Sequence, residues 1–267
     1  MTNLGVIFPP DQPPERLREV ALATEAAGVG ELWLWEDCFA ESGMAPASAV
    51  LAWTERLRVG VGLFPVPLRN VALTAMEIAT MARLFPGRFL PGIGHGVLPW
   101  MGQVGARAAS PLTLLREYGT ALRRLLDGEN VTSSGRYVAL DGVQLRWQPD
   151  PLPLLVGAEG PKTLALAGEI GDGIILTGGT GTDVAAQAIA IAQQARREAG
   201  NETDLDIVSF LSVPVTIAAA ELHDRVRELT AVGVTRVAVC GLAESGAPDG
   251  SDRILALVEL VGEVATR

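Results

Sequence analysis

The chain has 267 residues, of which 48% are hydrophobic and 19% are charged. This length and composition predict a single α/β domain over residues 1–267, with a core large enough to bury a sheet on both faces. The formal net charge of -10 argues against non-specific binding to nucleic acid or to an anionic membrane. A single basic site could still bind a phosphate.

Short apolar segments alternate with helical segments along the first third of the chain. Proline residues follow the first strand directly and end it, because proline cannot donate a hydrogen bond within a sheet. The predicted strands lie at 4–8, 31–35 and 57–63, with a fourth that ends near Gly92, and the predicted helices lie at 14–27, 47–53 and 71–84.

Residues 97–147 interrupt this alternation. Residues 97–110 are expected to be irregular, a helix is predicted at 112–126, and residues 130–147 are typical of a small hairpin or another extended excursion. Connections of this length are uncommon within a compact domain, so we expect both irregular segments to be surface insertions.

Regular alternation returns after the insertions and gives about eight strand–helix units, which predict a closed (β/α)8 TIM barrel with insertions after strand four. The alternative is a doubly wound open sheet, whose first turn would carry a glycine fingerprint; Phe8-Pro9-Pro10-Asp11 does not. The later strands are predicted at 154–156, 173–176, 207–217 and 236–239, and the later helices at 162–170, 184–199, 219–231 and 252–264.

The sequence favours a cytoplasmic protein. Its two cysteines, Cys38 and Cys240, lie far apart without metal-ligand spacing, which fits a reducing compartment. The first ten residues, MTNLGVIFPP, lack the basic and long apolar regions of a signal peptide. The chain also lacks an uninterrupted apolar run of about 18 residues, so no membrane span is expected.

The active site of such a barrel lies at the C-terminal ends of its strands. These predicted ends are rich in glycine and apolar residues, with no Ser-His-Asp set and no cluster suited to a metal ion. A rim of this kind suits a planar cofactor that supplies its own chemistry. Glycines at 92, 94 and 96 would let a flat group, or another piece of backbone, approach strand four, and His95 between them is the candidate acid or base. The alternative is a tight turn with a polar tip.

Lys162 is the only lysine in the chain and begins a predicted helix in the sequence Gly160-Pro161-Lys162-Thr163. A cation in the first helical turn opposes the helix dipole, whereas a bound phosphate would reverse that effect by using Lys162 and the free amides. The alternative is a solvated lysine paired with Glu159 or Glu169. Asp37, taken alone, is typical of the N-cap of a short helix.

Three blocks of sequence resemble one family. They are AAGVGELWLWED, LRVGVGLFPVPLRNVALTAMEIATMARLFPGRFLPGIGHG and PLLVGAEGPKTLALAGEIGDGIIL. Together they resemble the luciferase-like monooxygenase superfamily, in its branch of F420-dependent oxidoreductases similar to methylenetetrahydromethanopterin reductase. The resemblance implies a (β/α)8 barrel of the bacterial luciferase-like type with the deazaflavin ring in the barrel mouth.

The resemblance also implies which residues meet the cofactor. A cis peptide bond is expected at Gly62–Leu63, Asp37 is expected near the ring, and the segment that begins at Gly160 is expected at the phosphate. The full implied set is Asp37, Gly62, Leu63, Gly94, His95, Gly96, Val97, Gly157, Ala158, Gly160, Pro161, Lys162, Thr163, Thr177 and Gly178. Cys38 stands where many members have histidine, and His95 stands where the family's sugar-phosphate dehydrogenases have glutamate, so sugar-phosphate oxidation is not expected.

The resulting hypothesis is an F420-dependent oxidoreductase that moves a hydride between the deazaflavin and a small, apolar organic substrate. His95 would hold or supply the proton, and the substrate would be walled by Phe8, Phe64, Trp100 and Met101. The alternatives are an FMN-dependent monooxygenase and a cofactor-binding protein without turnover. Homodimers are common in the family, and we expect one here, with no nucleic-acid or membrane partner.

Overall fold

The computed structural model describes residues 2–266, and its main sheet is a closed barrel of parallel strands in the order β1-β10-β9-β8-β7-β4-β3-β2. The predicted barrel is therefore confirmed. The strands are β1 (Asn3–Phe8), β2 (Glu31–Leu34), β3 (Arg58–Pro65), β4 (Phe89–Gly94), β5 (Val131–Ser134), β6 (Ala139–Val143), β7 (Leu155–Gly157), β8 (Gly173–Leu176), β9 (Asp206–Pro214) and β10 (Arg236–Leu242).

Helices connect the strands and surround the barrel. Segment 97–110, expected to be irregular, contains the short helix α4, with Pro99 in its first turn, where a missing N–H carries no penalty. No helix between residues 2 and 266 is long and apolar enough to cross a membrane. The helices are α1 (Leu17–Ala26), α2 (Met44–Trp53), α3 (Val71–Leu84), α4 (Leu98–Gln103), α5 (Pro111–Leu126), α6 (Pro161–Ile170), α7 (Thr182–Glu198), α8 (Ala219–Ala231) and α9 (Arg253–Ala265).

Alternation along the strands separates two cores. On β2, Leu32 and Leu34 join the large core between sheet and helices, whereas Trp33 and Trp35 face the barrel interior. The interior is filled by few, large side chains: the Trp33 ring occupies the space above Gly60, where a Cβ would lie 2.4 Å from its Cε3 atom. The barrel interior is therefore filled with side chains, and we expect a ligand to bind at the C-terminal ends of the strands.

A buried ion network closes the N-terminal end of the barrel. Glu31 is 0% exposed, and its carboxylate pairs with Arg58 at 2.7 Å and with Arg236. Its second oxygen accepts the indole N–H of Trp33 at 2.9 Å. Burial alone would lower the pKa of Arg236. The carboxylates of Glu31 and Asp206 have the larger effect and raise this pKa. One carboxylate thus ties three strands together.

The insertion after β4 folds back onto α5. Its β5–β6 hairpin turns at residues whose backbone N–H groups donate to the carboxylate of Glu117 on α5, from Arg136 at 2.9 Å, Tyr137 at 2.7 Å and Val138 at 3.1 Å. These bonds lower the Glu117 pKa despite the opposing effect of burial. The hairpin therefore packs on α5, outside the barrel, and its mostly exposed strands agree with the predicted surface insertion.

Candidate active site

The barrel mouth is shaped by Leu63 at the end of β3. A Cβ on Gly94 would lie 2.4 Å from Leu63 Cδ2, and a Cβ on Gly157 would lie 2.2 Å from the same atom. The Leu63 side chain therefore lies across the glycine ends of two neighbouring strands, β4 and β7. It remains half-exposed and offers an apolar surface on which a flat ring can rest.

Two peptide bonds beside this surface are cis, Gly62–Leu63 and Cys38–Phe39. The resemblance predicted the first and not the second. Both bonds lie in segments that follow or end barrel strands, so they border the mouth on the β2 and β3 sides.

The loop after β4 places His95 at the rim. Gly96 has φ +69°, which favours glycine, and a Cβ there would lie 2.9 Å from Pro65 Cβ and 3.3 Å from the Met101 thioether. His95 is half-buried, and its Nδ1 lies 2.7 Å from the Gly96 carbonyl oxygen. A carbonyl only accepts, so Nδ1 carries the hydrogen and Nε2 of the neutral ring keeps its lone pair. The side chain is thus arranged to accept a proton at Nε2.

Asp37 borders the mouth on the β2 side, in the wall of a cavity of about 310 Å³ that also includes Cys38 and Arg69. It does not cap a helix, because α2 begins at Met44 with Gly43 as its N-cap. Burial raises the Asp37 pKa, and the negative charge of Asp11 adds to the effect. Burial, Glu36 and Asp37 also raise the pKa of Cys38, which therefore remains a neutral thiol and cannot replace a basic histidine.

The raised pKa of Asp37 makes a prediction about stability. The folded state holds this proton more tightly than the unfolded state, so stability falls as pH rises from the ordinary aspartate value of 3.8 through the raised one. Asp37→Asn lacks this penalty and should raise the melting temperature at pH 7 but not at pH 3. Thermal unfolding at both pH values checks this, with the exposed Asp141→Asn as the matched control. An equal rise at both pH values would contradict it.

The N-terminus of α6 offers the Lys162 amide as a donor, because Pro161 has no N–H and the Thr163 and Leu164 amides donate to the Gly160 carbonyl at 2.9 Å. Gly160 is the N-cap, and no side chain caps the helix. Both acidic partners considered for Lys162 are engaged elsewhere, since Glu159 accepts the Thr177 hydroxyl at 3.0 Å and Glu169 pairs with Arg116. Lys162 is exposed and forms no salt bridge within residues 2–266. The Lys162 ammonium and its backbone amide, at the positive end of the helix dipole, are donors that suit a phosphate.

Three of the predicted substrate-wall residues do not face the mouth. Phe8 alternates with the inward-facing Ile7 and is buried in the core beneath the helices. Phe64 joins the same core because β3 shifts register against β4 between Val61 and Phe64, so one extra residue turns its side chain outward.

The third, Met101, is 0% exposed and packs beneath Gly96, so it supports the loop after β4 instead of lining a surface. Trp100 on α4 is half-buried and remains a candidate wall. Of the expected substrate wall only Trp100 remains a candidate, and Leu63, predicted as a cofactor contact, adds an apolar surface.

Sequence reasoning missed the aromatic floor of the mouth and one hydroxyl. Trp35 packs on Phe210, with ring centroids 5.8 Å apart, and both belong with the barrel interior. The alternation of leucine and tryptophan along β2 was the available signal. Ser212 on β9 approaches the predicted Gly178, where a Cβ would lie 2.7 Å from its hydroxyl oxygen.

The assembled site has few reactive side chains. No cluster of three histidine, cysteine or carboxylate side chains that could hold a metal occurs in the part of the chain that the structure describes. Leu63 and the glycine strand ends offer room for a flat ring, while the side chain and the backbone amide of Lys162 suit a phosphate. These residues therefore fit a flavin-like cofactor.

Fold and mouth together define a (β/α)8-barrel protein built to hold a planar ring at the carboxyl ends of its strands. A family model described as luciferase-like monooxygenase matches residues 2–251. The chain belongs to the luciferase-like monooxygenase family, as the resemblance predicted.

Named relatives narrow the comparison. The chain is 28% identical over 220 residues to 5,10-methylenetetrahydromethanopterin reductase of Methanolobus tindarius, covering 82% of this chain and 67% of the relative. It is 32% identical over 217 residues to F420-dependent glucose-6-phosphate dehydrogenase of Kineococcus radiotolerans, covering 76% and 64%. It thus spans about two thirds of the length of these relatives.

Solved structures agree on the fold. An F420-dependent secondary alcohol dehydrogenase, solved with an F420–acetone adduct, superposes with a TM-score of 0.85. The match covers 98% of both chains at 19% identity. At this identity the likeness establishes the barrel and its insertions, and it leaves the substrate open.

Proposed function

We propose that this protein is an F420-dependent oxidoreductase that transfers a hydride between the deazaflavin and a small, apolar organic substrate. The observation that carries the proposal is the Leu63 surface across Gly94 and Gly157, which suits a flat ring. The named relatives, an F420-dependent dehydrogenase among them, support this choice of cofactor. The deazaflavin supplies the hydride chemistry, and the protein supplies position and exclusion of water.

The cofactor's ring would rest on Leu63, near Asp37 on one side and the 94–97 loop on the other. Its phosphate would lie at the N-terminus of α6, held by Lys162 and Thr163, with Thr177 and Gly178 close by. Gly157, Ala158, Gly160 and Pro161 would form the backbone between the two sites. Each of these groups lies at the end of a barrel strand, in the loop that follows it or in the first turn of α6.

His95 would exchange the proton that accompanies hydride transfer. Its Nε2 atom is free to accept, because Nδ1 is committed to the Gly96 carbonyl. The apolar character of Leu63 and Trp100 favours an apolar substrate next to the ring. Sugar-phosphate oxidation is not expected, because Cys38 and His95 stand where the family's sugar-phosphate dehydrogenases have histidine and glutamate.

A fluorescence titration of the apoprotein with F420, and separately with FMN, tests the proposal. F420 should bind in the micromolar range, and Lys162→Ala should weaken it about tenfold, as expected for one charge-assisted hydrogen bond to phosphate. Arg197→Ala is the matched control, because it removes an exposed arginine near the C-terminus of α7, at the opposite end of the barrel.

Three outcomes would contradict the proposal. Tighter binding of FMN would favour an FMN-dependent monooxygenase, the reaction that the family description names. Failure of both cofactors to bind would exclude both enzymes. Binding of F420 without hydride transfer to any carbonyl acceptor in stopped-flow absorbance would leave a cofactor-binding protein without turnover.

We also propose that the protein is a cytoplasmic homodimer that associates through α2 and α3, which flank β3. α2 has no charged residue, and α3 exposes Leu73 (48%), Met76 (58%) and Leu84 (65%) on its surface. Helices that are apolar on all sides are normally buried. The two cysteines are free thiols, which suits the cytoplasm; cell fractionation tests the compartment.

Light scattering should therefore give twice the mass of one chain. Met76→Glu should shift the protein to monomer, because a carboxylate buried at an interface loses its hydration. Val184→Glu, at a similarly exposed apolar position on α7, should leave the dimer intact. A monomeric wild type at micromolar concentration would refute the proposal.

A further inference from the structure

A second cavity lies beside the barrel mouth. Its volume is about 500 Å³, and it is enclosed by residues 66–71 after β3, the loop 105–108, α5 and the tip of the β5–β6 hairpin. It begins one residue beyond the end of β3, on the same face of the barrel as the candidate active site. This volume is large enough for a small organic group.

The charged residues that line this cavity are both basic. Arg69 and Arg107 line it, and no aspartate or glutamate among the described residues 2–266 does. Arg69 is engaged, since its guanidinium pairs with Glu36 at 2.5 Å and with Glu77 at 3.5 Å. Arg107 is exposed and forms neither an ion pair nor a side-chain hydrogen bond within residues 2–266. Arg107 is therefore a cation available to a ligand.

Other groups around the cavity have hydrogens to donate. The Tyr137 hydroxyl accepts the backbone N–H of Ser110 at 2.7 Å, and its own hydrogen has no acceptor in the described part of the chain. The N-terminus of α3 also opens here at Asn70 and Val71; Asn70 caps the Ala72 amide at 2.9 Å. First-turn amides such as that of Val71 lack an acceptor within the helix, and the helix dipole favours an anion.

We propose that this cavity binds the carboxylate of a small organic ligand, with Arg107 and the Tyr137 hydroxyl as its donors. An arginine guanidinium presents two parallel N–H groups that match a carboxylate, and the cavity provides space for the attached carbon chain. Two sources carry this chemistry: a substrate that is apolar where it meets the ring and bears a carboxylate at its far end, or the side chain of the cofactor, which in F420 bears a phosphate and carboxylates. Only the second source rests on the proposed function.

The first test uses glutarate as the probe and the apoprotein as the receptor. Saturation-transfer NMR should detect binding of glutarate to the wild type. It should detect no binding of the neutral analogue glutaramide. Arg107→Ala should raise the glutarate Kd about tenfold or more, as for loss of a charged hydrogen bond. The glutarate Kd of Arg107→Lys should lie between those of the wild type and Arg107→Ala, because lysine keeps the charge but lacks the planar pair of N–H groups.

Two controls keep the result specific. Arg197→Ala removes the same charge at the other end of the barrel and should leave the Kd unchanged. Tyr137→Phe keeps the aromatic ring and removes only the hydroxyl, so it should weaken glutarate binding less than Arg107→Ala does. Equal binding by wild type and Arg107→Ala, or no glutarate binding by the folded wild type, would overturn the proposal.

The second test identifies the source of the carboxylate by displacement. F420 and a deazaflavin with an uncharged side chain are each added to the glutarate complex. Release by F420 alone assigns the site to the cofactor's side chain, and retention with both assigns it to the substrate. Release by the uncharged deazaflavin would contradict an anion site. If F420 fails to bind at all, the proposed function fails while the glutarate result stands.

Discussion

Replacing Glu31 by alanine is expected to lower the free energy of unfolding by about 3–5 kcal/mol, the usual effect of removing one partner of a buried ion pair. The change leaves Arg58 facing the end of the barrel without its carboxylate and removes the acceptor of the Trp33 indole N–H. Arg236 keeps Asp206, 2.6 Å from its Nε. Urea denaturation followed by tryptophan fluorescence measures the loss.

Glu55→Ala is the matched control for this prediction. Its side chain is 88% exposed, so the same substitution should change stability by less than about 0.5 kcal/mol. Glu31→Gln keeps the shape and one hydrogen-bond acceptor, and it should fall between the two. A Glu31→Ala protein as stable as the control would mean that the network adds no stability to the barrel.

Replacing His95 by glutamine is expected to lower the rate of hydride transfer by about 10²–10⁴-fold, the usual contribution of a general acid or base. Glutamine retains hydrogen-bonding capacity but cannot exchange a proton near neutral pH. The Gly96 carbonyl can still accept a hydrogen bond, so the loop after β4 should hold its shape. Stopped-flow absorbance of the deazaflavin in a single turnover measures the rate.

F420 affinity separates a catalytic effect from a structural one. His95→Gln should change the F420 Kd by less than about threefold, since the contacts expected from residues 94–97 come from backbone. His223→Gln, at the other histidine, half-exposed on α8, should leave both rate and affinity unchanged. A full rate in His95→Gln would assign the proton transfer to another group, Asp37 first.

Periodicity predicted the elements well where the pattern is local. Helices 71–84 and 219–231 have the bounds that the sequence predicted, because a helix is specified by contacts within a few residues. The predicted strands differ from the observed ones by a few residues at their ends. The prediction that residues 97–110 are irregular was wrong in part, because they contain α4. This helix is shorter than the window over which helical periodicity can be recognised.

The direction of side chains at strand ends was harder to predict. Phe64 was expected to wall the substrate, but the register shift between β3 and β4 turns its side chain into the core beneath the helices. A shift of this kind depends on the neighbouring strand, 30 residues away in the chain, and has no local signal. The prediction for Phe8 failed for a different reason. Side chains alternate along β1, so Phe8 faces the helices together with Val6, whereas Ile7 faces the barrel interior.

The sequence by itself determined the barrel, its insertions after strand four, and the segments that supply the candidate site. It did so because apolar alternation, glycine positions and the single lysine are properties of short stretches. Only the tertiary structure decided that Leu63 covers two neighbouring strand ends, that Glu159 and Glu169 are engaged away from Lys162, and that Arg107 faces a cavity free of carboxylates. These facts join residues far apart in the chain, and such contacts are fixed by packing the whole barrel.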